Sequence, residues 1–183
     1  MAPVLVLIDL QKIFAEPDSG WATPDFQRVI KPTQDLIGLF SPHVIFTRFV
    51  APEEPTGSWI PYYEQWPFAL QPATSYAYQL VDEFAGSPTL DKPTFGKWGP
   101  ELAEAVGPGG ELVLSGVTTD CCVLTTALAA LDAGVHVRVV ADACAGVDEA
   151  SHQKTLDILR LYAPMLEVVT VDEIRAQLTP EGQ

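Results

Sequence analysis

The sequence predicts an α/β protein with a three-layer, doubly wound and mainly parallel sheet. Its short runs of Val, Ile and Leu are continuous rather than alternating, which is typical of parallel strands that helices cover on both faces. Stretches with helical spacing lie between these runs, so strand and helix alternate along the chain. With 48% apolar composition over 183 residues, we expect one domain spanning 1–183.

Each strand and each helix is predicted from the local spacing of apolar residues. The predicted strands are the apolar runs at 4–10, 44–49, 111–115, 135–141 and 167–171. The predicted helices are the segments of helical spacing between and after them, at 25–40, 100–106, 120–133, 148–162 and 172–178. Right-handed crossovers are expected to connect the strands.

Residues at about 51–90 interrupt this alternation, because they are rich in Pro and aromatic side chains. The rings are Trp59, Tyr62, Tyr63, Trp66, Phe68, Tyr76 and Tyr78. One interpretation is a surface insertion that packs its own rings or forms a subunit contact. The other is a lid or pocket wall, since aromatic side chains commonly line ligand sites.

Charge and cysteine content exclude several classes of function. A net charge of -14 and a pI near 4.3 argue against nucleic-acid binding. An anionic substrate would therefore need a local cation, for which Arg48, Lys92 and Lys97 are the candidates. The odd number of cysteines, the lack of a basic leader and the lack of an apolar run of about 20 residues predict a cytoplasmic protein that does not contact a membrane.

Three polar positions stand where predicted strands end, which is the edge at which open α/β sheets bind ligands. Asp9 follows an apolar run, although an Asp there is often only a helix N-cap. Cys122 lies in the first turn of the helix after the third predicted strand, where the helix dipole and free N–H groups stabilise a thiolate. Lys92 ends a short extended segment before Pro93; taken alone, it would be a solvated surface charge.

Together these positions resemble the isochorismatase-like cysteine hydrolases, a superfamily that includes nicotinamidases and N-carbamoylsarcosine amidohydrolases. The turn Gly-Val-Thr-Thr at 116–119, followed by Asp-Cys-Cys-Val at 120–123, is similar to the nucleophile motif of that family. In that motif the cysteine directly precedes the valine, which selects Cys122. Asp9-Leu10-Gln11 with Phe14 resembles the opening motif, and Lys92-Pro93-Thr94-Phe95 resembles the segment that carries the triad lysine.

The resemblance implies a catalytic triad of Asp9, Lys92 and Cys122 and a cis bond between Val117 and Thr118. It also implies an oxyanion site at the turn of Val117, Thr118 and Cys122. The implied reaction is hydrolysis of a small amide, ureido or lactam C–N bond through a thioester. Dimers or tetramers are common in the family, so a homo-oligomer is expected.

The sequence departs from the family pattern in two places. The Asp-x-His metal pair of nicotinamidases is absent after the second predicted strand, and His43, His136 and His152 are scattered, so we expect no metal and no cofactor. Gly96-Lys97-Trp98 stands where the family often has Ser-Ala-Phe, which predicts a different pocket wall. The candidate substrate-binding residues are Gln11, Arg48, Trp59, Trp66, Trp98 and Thr119.

Three alternatives to amide hydrolysis remain. Vinyl-ether hydrolysis of the isochorismatase type needs no thiol, and the presence of Cys122 counts against it. A non-catalytic binding module would not need all three triad residue types. A redox role for Cys121 and Cys122 is disfavoured, because adjacent cysteines lack the two-residue spacing of thioredoxin-like motifs.

Overall fold

A computed structural model describes residues 2–178 of the chain. Its centre is one six-stranded, all-parallel sheet with the strand order β3-β2-β1-β4-β5-β6. The strands are β1 (Val4–Ile8), β2 (Val44–Phe49), β3 (Thr89–Lys92), β4 (Glu111–Val117), β5 (His136–Ala145) and β6 (Leu166–Val169). The predicted doubly wound α/β class is confirmed.

Helices cover both faces of the sheet. They are α1 (Lys12–Ala15), α2 (Phe26–Phe40), α3 (Trp59–Gln65), α4 (Pro100–Val106), α5 (Leu124–Asp132), α6 (Glu149–Arg160) and α7 (Val171–Leu178). Buried side chains of α2 and α7 form a core on one face together with the aromatic excursion, and those of α4, α5 and α6 form a second core on the other. No helix within residues 2–178 is long and apolar enough to cross a membrane.

Most predicted elements are present, with shifted ends. The second predicted strand and the helix at 100–106 have the predicted bounds. β3 was expected only as a short extended segment, because its sequence Thr-Leu-Asp-Lys has no apolar run; as an edge strand it buries little of its surface. β5 continues four residues beyond its predicted end, through Asp142 to Ala145.

The aromatic excursion lies between β2 and β3. It contains α3 and three short 3₁₀ turns, Pro67–Ala69, Tyr76–Tyr78 and Asp82–Phe84. An antiparallel bridge between Gln11 and Leu80 ties it to the segment that follows β1. The excursion is therefore attached at the carboxyl edge of the sheet.

The strand order reverses between β1 and β4, which are hydrogen-bonded neighbours at the centre of the sheet. Chain connections leave this pair in opposite directions, so a crevice opens above their carboxyl ends. Asp9 directly follows β1, and the turn that carries Cys122 follows β4. The topology thus brings the first two sequence-predicted positions to one crevice.

Candidate active site

Asp9 follows β1 at the carboxyl edge of the sheet and has no exposed surface. Its φ of +52° is the only positive value at a non-glycine residue in the described part of the chain, a conformation that costs free energy and is common at functional sites. Oδ1 accepts a hydrogen bond from Thr47 Oγ1 at 2.9 Å. Burial raises the pKa of Asp9, and the nearby Lys97, Thr47 and Cys122 side chains oppose that rise.

Lys97 is the cation that faces Asp9. Its Nζ lies 2.9 Å from Asp9 Oδ2, and neither side chain has any exposed surface. Two hydrogen bonds hold this lysine in place. Its backbone N–H donates to Thr126 Oγ1 at 2.9 Å, and its Nζ donates to Thr94 O at 2.7 Å. A fully buried lysine is rare unless it is paired, so the ion pair accounts for its position.

The structure corrects the expected placement of Lys92. This residue ends the edge strand β3, and its Nζ pairs with Glu101 Oε2 at 2.7 Å, a carboxylate that is half exposed. The ion pair with Asp9 is made instead by Lys97, five residues further along. The sequence indicates Lys97 only as a candidate partner for an anionic substrate, because its fully buried site is not visible in the local sequence.

Cys122 is carried by a π-helical turn, Thr119–Val123, which precedes α5. The Val117–Thr118 peptide bond before the turn is cis, as expected. The Cys122 side chain is buried, whereas Cys121 is partly exposed. Hydrogen bonding with Cys121, burial and the charge of Asp9 hold the pKa of the Cys122 thiol well above its usual range, so its proton needs a base.

The backbone N–H groups around Cys122 differ in their hydrogen-bond acceptors. The N–H groups of Cys121 and Val123 both donate to Thr118 O at 3.1 Å, and that of Cys122 does not share this acceptor. The N–H of Thr118 has no backbone acceptor among residues 2–178. The N–H groups of Thr118 and Cys122 are therefore two candidates for receiving a developing oxyanion.

A cavity of about 450 Å³ opens above these groups. The residues that line it are Phe14, Gly20, Trp21, Ala22, Phe49, Tyr62, Trp66, Phe95, Thr118, Asp120, Cys121, Cys122 and Val147. Of the six candidate substrate-binding residues, only Trp66 is among them. Trp21 and Phe95 were not predicted as pocket residues, whereas Tyr62 is one of the excursion rings for which a pocket wall was one of the two interpretations.

The other five candidates have structural contacts instead, which corrects their expected placement. The buried Gln11 side chain donates to Phe49 O and Tyr78 O at 2.9 Å each and accepts from Phe49 N at 2.7 Å. The Arg48 guanidinium pairs with Asp91 at 2.5 and 2.8 Å.

The remaining three are also absent from the cavity lining. Trp59 packs against Phe95, with ring centroids 4.9 Å apart. Trp98 packs against the core beneath α4 and α5. Thr119 is fully buried, and a 2.8 Å hydrogen bond joins its Oγ1 to Nδ1 of the buried His152.

Within residues 2–178, no group of three or more His, Cys, Asp or Glu side chains is placed so that it could hold a metal ion. His152 is engaged with Thr119, and His136 lies near Glu111 and Glu167 at the start of β5.

Comparisons with known proteins agree with the resemblance seen in the sequence. A family model described as the Isochorismatase domain matches residues 3–173. A cysteine hydrolase from Pseudomonas syringae pv. phaseolicola superposes with a TM-score of 0.83 at 18% identity, covering 96% of this chain and 92% of that one. N-carbamoylsarcosine amidase from Thermoplasma acidophilum gives 0.72 at 24% identity, covering 94% and 98%.

An isochorismatase family protein from Desulfovibrio vulgaris gives a TM-score of 0.82 at 17% identity, covering 97% of this chain and 98% of that one. At these identities the structural matches show the fold. Comparison with curated protein sequences found no match.

Proposed function

The chain belongs to the isochorismatase family of hydrolases, and we propose that it is a cysteine-dependent amidohydrolase acting on a small amide, ureido or lactam C–N bond. The observation that carries this proposal is the fully buried pair of Asp9 and Lys97 beside the Cys122 thiol. A thiol nucleophile, a neighbouring carboxylate of raised pKa that can take its proton and a fixed cation are groups that nucleophilic catalysis by cysteine uses.

The proposed reaction begins with proton transfer from Cys122 Sγ to Asp9. The thiolate attacks the carbonyl carbon; a C–S bond forms, and the carbonyl π electrons move to oxygen. The N–H groups of Thr118 and Cys122 then stabilise the oxyanion. Asp9 returns its proton to the leaving nitrogen as the C–N bond breaks, which releases an amine or ammonia and leaves a thioester.

Hydrolysis of the thioester reuses the same groups. Asp9 takes a proton from water, the resulting hydroxide attacks the thioester carbonyl, and Sγ leaves and recovers the proton. The acid product departs and the enzyme returns to its starting state.

Lys97 neither gives nor takes a proton in the proposed cycle. While Asp9 is ionised, Lys97 balances its charge at a fully buried position; once Asp9 is protonated, the uncompensated cation favours the thiolate and the oxyanion. This makes Lys97, rather than Lys92, the third member of the proposed triad.

The two lysines provide a matched experiment. Wild type, Lys97→Met and Lys92→Met are assayed for release of ammonia or amine from a panel of carboxamides, ureido acids and lactams, with folding checked by circular dichroism. We expect Lys97→Met to lose at least about a hundredfold in kcat/KM and Lys92→Met less than about threefold. Equal loss in both variants would remove the assignment of Lys97.

The nucleophile is tested by trapping. The wild type is quenched during turnover and its peptides are analysed by mass spectrometry, where an acyl adduct is expected on Cys122 and is absent in Cys122→Ala. An active Cys122→Ala variant would overturn the thiol mechanism and favour vinyl-ether hydrolysis. A folded wild type that cleaves neither an amide nor a vinyl ether would favour the binding-module alternative.

A further inference from the structure

Among the described residues, the lining of the active-site cavity carries negative charge and no positive charge. Among its lining residues in the described chain there is no Lys, Arg or His, and the only carboxylate is that of Asp120. Lys97 has no exposed surface and is neutralised by Asp9. The Arg48 guanidinium is held by Asp91 and lines a separate depression. No cation of this cavity is therefore available to a substrate carboxylate.

Asp120 is fixed at the rim by the loop between β5 and α6. Its Oδ1 accepts the N–H of Val147 at 2.8 Å. Gly146 allows this approach, because a Cβ at that position would lie 2.6 Å from the same oxygen. Oδ2 has no hydrogen-bond partner within residues 2–178. The carboxylate is thus held two residues before the proposed nucleophile with one oxygen unused.

The rest of the wall is built from aromatic rings. Trp21 contacts Tyr62 and Trp66, with ring centroids 6.0 and 6.4 Å apart, and Phe95 lies 5.5 Å from Tyr62. Burial and the neighbouring cysteines raise the pKa of Tyr62 to about 12, so its hydroxyl stays neutral. The faces of such rings attract cations and repel anions.

We propose that the substrate carries a cationic nitrogen group that pairs with Asp120 while its apolar body lies against the rings. This deepens the proposed function and rests on it for the identity of the reacting amide. A carboxylate in the same place would meet Asp120 and the ring faces without a counter-ion, in a cavity where water screens charges poorly. The proposal therefore assigns Asp120 as a specificity-determining residue.

Thiol labelling tests the charge preference without any knowledge of the substrate. The trimethylammonioethyl and sulfonatoethyl esters of methanethiosulfonate have similar size and opposite charge, and each forms a mixed disulfide with a protein thiol and releases methanesulfinate. The ratio of their rate constants at Cys121 and Cys122 is measured by peptide mass spectrometry. Cys144 is fully buried and does not compete.

Asp120→Asn is the informative variant, because Asn Oδ1 can still accept the Val147 N–H while the charge is lost. Glu104→Gln, on the exposed face of α4, removes the same charge elsewhere and controls for the net charge of the chain. We expect the cation-to-anion rate ratio to fall at least tenfold in Asp120→Asn and to stay within twofold of wild type in Glu104→Gln. A ratio that is equal in all three proteins overturns the proposal.

Turnover separates this inference from the proposed function. The kcat/KM values of 4-aminomethyl-, 4-methyl- and 4-carboxybenzamide are compared, and the cationic amide is expected to exceed the anionic one at least tenfold in wild type. A faster anionic amide overturns the inference. If the labelling ratio falls as expected but no amide or ureido compound is cleaved, the charge preference stands and amide hydrolysis is wrong.

Discussion

Lys97 Nζ lies 2.9 Å from Asp9 Oδ2 at the carboxyl end of β1, and both side chains are fully buried. Two charges without water are stable only as a pair, since each alone would carry a large desolvation cost. Burial raises the pKa of Asp9 although Lys97 opposes the rise. Because the desolvation cost of a buried pair can exceed its attraction, we expect this pair to contribute little to stability.

A double-mutant cycle should show how little the pair of Asp9 and Lys97 contributes to stability. Asp9→Asn and Lys97→Met each leave one unpaired buried group, so each is expected to lower the free energy of unfolding by about 3–5 kcal/mol. The double variant removes both charges and is expected to be close to wild type or more stable. Urea unfolding measures all four proteins. Additive losses in the double variant would mean that the two side chains act independently.

The acid limb of the pH–rate profile should report Asp9. The base must be ionised, so kcat/KM is expected to fall as the pH drops through the pKa of Asp9, which burial raises above the ordinary 3.8. The limb should therefore lie above the range of an exposed aspartate. Samples returned to neutral pH before assay control for acid unfolding. A limb in the ordinary aspartate range would contradict the role of this carboxylate.

The sequence predicts two members of the proposed triad because they are tied to strands. Asp9 directly follows one apolar run and the turn that carries Cys122 follows another, and in a parallel sheet the carboxyl ends of such strands meet at one edge. The fold class follows from the same runs. No comparable constraint exists for the lysine.

The position of Lys97 depends on how the loop after β3 turns into the crevice. Lys92 and Lys97 both lie in a short segment rich in Pro and Gly, and which of them points inward is decided by tertiary contacts such as that between the Lys97 N–H and Thr126. Tertiary contacts also decide which rings line the cavity. Trp21 belongs to the loop between α1 and α2 and meets the rings of the excursion only in the folded chain. Local sequence does not encode such contacts.

Gly116 should be intolerant of any side chain. Its φ is +116°, and a Cβ there would lie 2.1 Å from Ile8 O on the neighbouring strand, next to Asp9. Gly116→Ala is expected to lower the free energy of unfolding by at least about 3 kcal/mol, because strain and overpacking add. Gly38→Ala is the matched control: apart from its chain neighbours and the backbone of its own helix, no atom lies within 4 Å of the added Cβ, and helix α2 should gain roughly 0.5–1 kcal/mol. Similar unfolding midpoints for the two variants would contradict the close approach of β1 and β4.

His152 should make stability depend on pH. It is buried against Thr119 at the nucleophile turn, and burial, followed by the charge of Arg28, lowers its pKa below the ordinary 6.5. Below pH 6.5 the unfolded chain binds a proton that the folded protein does not, so stability is lost as the pH falls from 6.5 towards the lowered pKa. Urea unfolding at about pH 7.5 and about pH 5.5 should show this loss in wild type and a smaller one in His152→Gln. His43→Gln, on the exposed turn before β2, should keep the wild-type loss. If His152→Gln keeps it as well, other groups cause the acid destabilisation, and the contact between His152 and Thr119 does not transmit pH to the turn that carries Cys122.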